Sequence, residues 1–112
     1  MTVDMARFEK RAEIIKAMGN AARLVIVEDL SKNEKTVGAL TELVDLDIST
    51  VSRHLLILRH AGIVSCRKNG NQVLYRLRTP CVLNFFHCVE KILNGDDDLK
   101  DTCTDESCSD CI

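Results

Sequence analysis

The amino-acid sequence predicts a mainly α-helical domain that carries one β-hairpin before its last helix. Apolar residues recur at steps of three and four in five segments, which is the period of an amphipathic helix. On both sides of Asn69-Gly70 the composition changes to β-branched and aromatic residues, as expected for the two strands of a hairpin. After Gly95 the apolar residues nearly cease and acids dominate. We therefore expect a domain over residues 1–95 with the element order α-α-α-α-β-β-α, followed by an acidic, cysteine-rich tail over residues 96–112.

The first two helices are predicted over residues 5–18 and 21–30, separated by Gly19-Asn20. Each has apolar residues at helical spacing, which predicts one apolar stripe per helix. In the first helix this stripe consists of Phe8, Ala12, Ile15 and Met18. In the second helix the residues expected to face inward are Leu24, Ile26, Val27 and Leu30.

The third and fourth helices are predicted from Thr36 to about residue 44 and from residue 48 to about residue 60. Thr36 and Asp47 are suitable N-caps, because their side-chain oxygens can accept hydrogen bonds from the free N–H groups of a first helical turn. Residues 45–47 form a short turn between the two helices, and Gly62 ends the fourth helix. The buried face of that helix is expected to consist of Val51, Leu55 and Leu58.

The hairpin is predicted from strands over residues 63–67 and 72–77, with Asn69-Gly70 in its turn. Thr79-Pro80 is expected to open a last helix, with Pro80 in its first turn. A wide apolar stripe on this helix suits burial against a second copy of so short a chain. The residues predicted to lie at or beside that dimer interface are Phe85 and Phe86.

Two helices joined by a steep short turn and followed by a hairpin make a winged helix-turn-helix, whose second helix can enter the major groove of DNA. Opposite its buried face this helix carries Ser49, Ser52 and Arg53, residue types that reach base edges and phosphates. The hairpin adds Arg67 and Lys68, placed to contact the neighbouring DNA backbone. We predict double-stranded DNA as the partner.

The charge distribution favours the same partner. The net charge is -2, but seven acids and only one base lie in residues 96–112. Residues 48–89 contain six arginines and lysines and not one acid. A long stretch of one sign is the electrostatic pattern expected of a protein that binds a polyanion.

Three sequence blocks resemble the arsenic-repressor-type (ArsR/SmtB) family of metal-responsive repressors. They read IIKAMGNAARLVIVEDL, ISTVSRHLLILRHAGIV and RKNGNQVLYRL, and the resemblance covers roughly residues 8–80. It implies a homodimer that occupies a near-palindromic operator and leaves it when a ligand binds. It also implies that the recognition-helix contacts are made by Ile48, Ser49, Ser52 and Arg53. Ile48 stands where the family commonly has a polar residue.

Neither of the two best-known ligand sites of that family is present. One places a Cys-x-Cys pair at the start of the third helix, where this chain reads Thr36-Val37-Gly38. The other begins with Asp-x-His at the last helix, where this chain reads Arg78-Thr79-Pro80. A different sensing site is therefore expected.

The cysteines are concentrated after residue 80. Cys66 lies in a predicted strand, where a lone cysteine is usually a small apolar filler. Five others are candidate ligands, namely Cys81, Cys88, Cys103, Cys108 and Cys111. Cys81 and Cys88 share one helix face but lie ~10.5 Å apart along the axis, too far for one ion to bridge them unaided. The tail is long enough to reach back to them.

Thiolate ligands select soft ions, so trivalent arsenic, inorganic or organic, is the first choice of inducer. Zinc or cadmium is the second, and a persulfide or disulfide switch without a metal is the third. A metal-buffering protein without DNA binding is a remote alternative.

An enzyme is not expected, and we predict no catalytic residue or catalytic cofactor. His87-Cys88 is the only adjacent base and nucleophile, and helical neighbours point ~100° apart, so the two cannot bond to each other. No apolar run approaches the ~18 residues of a membrane span, and the N-terminus has no secretion signal. We expect a cytoplasmic protein with no membrane partner.

Overall fold

A computed structural model describes residues 2–95, and within them it has five α-helices and a three-stranded antiparallel sheet. The elements in chain order are α1 (Met5–Ala17), α2 (Ala21–Leu30), β1 (Lys35–Thr36), α3 (Val37–Val44), α4 (Ile48–His60), β2 (Val64–Asn69), β3 (Gln72–Leu77) and α5 (Val82–Asn94). The first compact unit ends at Pro80, and the second begins at Cys81 and contains α5. The predicted winged helix-turn-helix is confirmed, with β1 as an additional strand. Among the described residues, no helix has the length and apolarity that a membrane crossing requires.

Helices α1 to α4 each begin at a residue whose side chain accepts a hydrogen bond from the first turn. Asp4, Asn20, Thr36 and Asp47 are these N-caps, and each acceptor oxygen lies 3.2 Å from a backbone nitrogen three residues later. Such caps satisfy backbone N–H groups that have no partner within the helix. The N-caps predicted at Thr36 and Asp47 are confirmed.

The core of the first unit is entirely apolar and lies between α2, α3, α4 and the start of β2. The predicted inward residues of α4 are fully buried, and Ile26, Val27 and Leu30 of α2 join them. Leu24 was expected to face inward but is 39% exposed, because the buried side of α2 is centred on the other three residues. The remaining members of this core are Leu40, Ile63 and Val64, with Ala17 at its edge.

Helix α1 buries only Ala17. The predicted stripe therefore remains on the surface of a single copy, where Phe8 is 49% exposed and Ile15 is 58% exposed. Burial of the whole stripe needs a surface facing it, and only the C-terminal end of α1 reaches the core. The predicted apolar stripe is present, and the isolated chain leaves most of it open to solvent.

The sheet has the order β1-β3-β2, so β3 pairs on both sides. Lys35 pairs with Tyr75 in one direction, and Cys66 pairs with Tyr75 in the other. Because Asn69 pairs with Gln72, the two turn residues are Gly70 and Asn71 rather than Asn69 and Gly70. Only Gly70 among them has a positive φ, of 66°, a conformation that glycine adopts at little cost.

Helix α5 begins later than predicted. Pro80 and Cys81 precede it, and Cys81 is its N-cap, with no capping bond from its side chain. Thr79 does not cap the helix either, since its hydroxyl oxygen is buried without a hydrogen-bond partner. No side chain of α5 is buried in the single chain, and its apolar stripe is largely open to solvent, with Phe85 57% exposed.

Candidate nucleic-acid interface

The turn between α3 and α4 positions the candidate recognition helix. Asp45 ends α3 in the left-handed conformation, at φ 55°, which reverses the chain within three residues. Asp47 then caps α4 through the backbone N–H and the hydroxyl of Thr50, which lies 2.6 Å from its carboxylate. Hydrogen bonding by Thr50 holds the pKa of Asp47 below its usual value, so the cap stays ionised at neutral pH.

The exposed side of α4 carries every recognition-helix residue predicted to contact DNA. Ser49, Ser52 and Arg53 are exposed, and Ile48 is 54% exposed. Arg53 is in none of the ion pairs formed by the described residues, which leaves its guanidinium available to a phosphate or a guanine. The sequence did not single out Leu56, which lies on the same side and is 47% exposed.

His54 lies on the flank of α4 that faces α2. Its Nδ1 accepts a hydrogen bond from Nε of Arg23 at 3.0 Å. Burial lowers the pKa of His54, and the positive charges of Arg23 and Arg53 lower it further. The sequence gives no sign of this contact, because Arg23 and His54 are 31 positions apart in the chain.

The wing is β2 and β3 with their turn, and its two predicted cations differ. Arg67 forms a two-pronged ion pair with Glu34, at 2.9 and 3.3 Å, which occupies part of its guanidinium. Lys68 is exposed and is in neither ion pair of the described residues. Lys68 is therefore the freer of the two for a DNA phosphate, although the surface pair at Arg67 is weak enough to exchange.

The candidate cysteines do not assemble a site within the described residues. Cys81 and Cys88 are both free and exposed, at the start of α5 and within it. Cys103, Cys108 and Cys111 lie outside the described residues. Over residues 2–95 no group of three or more histidine, cysteine, aspartate or glutamate side chains has the proximity needed to hold a metal ion.

Cys66 is half-buried rather than a fully buried filler. Its sulfur accepts a hydrogen bond from Nη1 of Arg59 at 3.4 Å. The strand position was predicted correctly, but the contact with α4 was not visible in the sequence.

Comparison with known proteins agrees with this geometry. The sequence pattern described as "Bacterial regulatory protein, arsR family" matches residues 20–65, which span α2 to the start of β2. Nodulation protein NolR of Rhizobium meliloti is 36% identical over 90 residues, covering 80% of this chain and 74% of that protein. The chain belongs to the arsR family. A biofilm growth-associated repressor of Agrobacterium fabrum is also similar, with 35% identity over 79 residues that cover 67% of this chain and 68% of the relative.

A solved structure supports the fold of this arsR-family chain. It is described as the homodimeric winged helix-turn-helix DNA-binding domain of a possible ArsR-family regulator from Mycobacterium bovis. It superposes with a TM-score of 0.71 at 27% identity and covers 83% of this chain and 88% of that one. The chain is thus a DNA-binding transcriptional regulator. The family to which it belongs is regulatory, which also confirms the expectation that it is not an enzyme.

Proposed function

We propose that the protein is a ligand-responsive repressor that binds a near-palindromic operator as a homodimer and leaves it when a thiophilic inducer binds its cysteines. The observation that carries the DNA-binding part is the exposed side of α4. A capped turn presents Ser49, Ser52 and Arg53 there, and the basic wing follows in the same compact unit. Two hydroxyls and one guanidinium suit a major groove.

The proposal of a homodimer rests on apolar surfaces that are exposed to solvent in a single copy. Helix α5 has no buried side chain, and Phe85, Ile92 and Leu93 are each more than half exposed. An apolar stripe of this kind is typical of a protein interface. The M. bovis neighbour is described as homodimeric. Two recognition helices related by a twofold axis would read two half-sites of a near-palindrome.

Arg53→Ala is expected to weaken operator binding by about 1–3 kcal/mol if Arg53 reads a base. Lys68→Ala is the matched comparison, because a phosphate contact should weaken binding to operator and random duplex alike and reduce the salt slope by about 1. Fluorescence anisotropy over a series of salt concentrations measures both. The operator duplex can be selected from a random library with the wild-type protein. Equal affinity for operator and random duplex at every salt concentration would contradict the proposed function.

The direction of regulation is tested separately with a reporter gene placed behind the selected operator. Repression predicts lower expression when the protein is present. Higher expression would make the protein an activator and would leave its DNA binding intact.

We propose that the inducer site is formed by Cys81 or Cys88 together with one or more of Cys103, Cys108 and Cys111. Its support is the number of thiols and the exposure of the two on α5. At ~100° per residue both lie on one flank of α5, beside the stripe that carries Phe85. A ligand bound there can favour a dimer geometry that fits DNA poorly. Trivalent arsenic is the proposed ligand, with zinc, cadmium or a persulfide as alternatives.

Arsenite is expected to lower the operator affinity of the wild type about 5–150-fold, the usual range of allosteric coupling. The same titration is made on a chain truncated after Gly95 and on Cys81→Ser/Cys88→Ser. Loss of the response in both variants supports a site shared between helix and tail. A full response in both would contradict that site. If the wild-type protein does not respond to arsenite but responds to cadmium, zinc or polysulfide, only the identity of the proposed inducer changes.

A further inference from the structure

Arg23 connects the first turn of α2 to the end of α1 and to the middle of α4. Its backbone N–H donates to Oδ1 of Asn20, the N-cap of its own helix, at 3.2 Å. Its Nη1 donates to the carbonyl oxygen of Ala17, the last residue of α1, at 3.2 Å. Its Nε donates to Nδ1 of His54 on α4 at 3.0 Å. One side chain thus connects the surface helix α1 to the helix that faces DNA.

A cleft makes this connection important. It has a volume of about 540 Å³ and lies between Ile14 on α1 and Ile57 and His60 on α4. Arg23 lines the same cleft. Side chains on the two walls of an open cleft do not pack against each other. The relative placement of α1 and α4 therefore depends on the groups that bridge the cleft.

We propose that Arg23 is the positioning residue of the recognition helix, acting through neutral His54 to hold α4 at the angle that operator recognition requires. The proposal rests on the proposed operator binding by α4. It separates two contributions of the protein to DNA affinity. The general attraction to phosphates depends on charge, whereas the preference for the operator depends on the angle of α4 and hence on this hydrogen bond.

The hydrogen bond fixes the protonation state of His54. The Arg23 guanidinium can only donate, so Nδ1 must be bare and the proton of neutral His54 lies on Nε2. A proton on Nδ1 removes the acceptor and places two cations against each other. The charged groups that act on His54 are both positive, namely Arg23 from α2 and Arg53 from its own helix. The titratable groups that line the cleft with Arg23 have both signs, and they are Lys10, Glu13 and Lys16 of α1 and His60 of α4.

The sign of the pH effect follows from the lowered pKa of His54. Burial and the two arginines favour the neutral form in the folded protein. The contribution of His54 is therefore complete above the ordinary histidine pKa of about 6.5 and is lost as the pH falls from there through the lower folded value. Acid should reduce the preference for the operator, while the extra positive charge strengthens general attraction to DNA.

The test is the ratio of operator affinity to random-duplex affinity, measured by anisotropy at neutral pH and at an acidic pH at which NMR shows the His54 ring to be protonated. For the wild type the ratio should fall roughly tenfold, the size expected for losing one hydrogen bond to a charged group. His54→Asn is the matched control, because its amide oxygen keeps an acceptor near the position of Nδ1 and does not titrate. Its ratio should stay high and independent of pH. His54→Leu should have a low ratio at both pH values.

Three results would overturn the proposal. The wild-type ratio could be independent of pH, or the same pH dependence could persist in His54→Asn and so belong to other histidines. Long-range nitrogen–proton NMR correlations of the wild type could also show the neutral His54 proton on Nδ1. The NMR measurement needs no variant and no DNA. A wild type without preference for any duplex would instead contradict the proposed function, so the two failures are distinguishable.

Discussion

Replacing Phe85 with aspartate is expected to convert the protein into a monomer and to abolish operator binding. Phe85 is 57% exposed in the single chain, on a helix that buries none of its side chains. If the dimer covers it, each copy loses about 2 kcal/mol of apolar burial. Each copy also places a carboxylate in the interface, at a further cost of several kcal/mol. In a twofold dimer the substitution is present in both copies, so its free-energy cost is doubled. The dimer dissociation constant should therefore rise at least about a thousandfold.

Sedimentation velocity over a range of micromolar concentrations measures this change, and anisotropy measures the loss of operator binding. Asn84→Asp is the matched control, since it adds the same charge to the same helix. At ~100° per residue Asn84 lies away from the apolar stripe, so this variant should remain dimeric. Because Phe85 is largely exposed in the single chain, Phe85→Asp should keep its helical circular dichroism. A Phe85→Asp protein that sediments like the wild type would place the interface elsewhere.

Leu55→Ala is expected to lower the free energy of unfolding by about 2–5 kcal/mol. Leu55 is fully buried on the core side of α4, in a core without buried polar residues, so the missing atoms leave an apolar cavity. The free-energy loss corresponds to a drop in Tm of at least about 8 °C for a domain of this size. Thermal unfolding followed by circular dichroism measures the shift at one fixed protomer concentration, because dimers melt in a concentration-dependent way.

The next residue supplies the control. Leu56→Ala makes the same chemical change one position along α4, where the side chain is 47% exposed and faces the candidate DNA surface. Its Tm should stay within about 2–4 °C of the wild type, since a half-exposed leucine leaves no closed cavity. Similar losses for the two variants would mean that α4 is rotated relative to the described structure.

Local signals in the sequence predicted most of the fold. Thr36 and Asp47 are polar residues directly before apolar periodic segments, and a cap acts only on the turn that follows it. The spacing of apolar residues in α4, at steps of four and three, also identified its buried side. This signal is local as well, because the geometry of a helix is set within a few residues. These are also the features that place Ser49, Ser52 and Arg53 on the exposed side.

The features that the sequence did not predict depend on distant residues. Strand β1 has two residues and exists because Lys35 and Thr36 pair with Tyr75 and Leu74 much later in the chain. The Arg23–His54 and Arg67–Glu34 contacts also span more than thirty positions. A charged or ring side chain has many possible partners at such distances, and only the folded chain selects one. The periodicity of α1 predicted its apolar side but could not show what covers that side.

The pairing of β1 with β3 also determines how the DNA-binding elements resist local opening. Thr36 both pairs with Leu74 and caps α3, so the chain from the start of α3 to the wing is closed at its two ends by one strand pair. A loop fixed at both ends has less conformational freedom to lose when it meets a ligand. For the proposed operator binding, the conformational entropy of ordering α4 and the wing stem is therefore lost during folding and not when DNA binds. In amide hydrogen exchange, α4 and β3 should open together as one cooperative unit rather than fray separately.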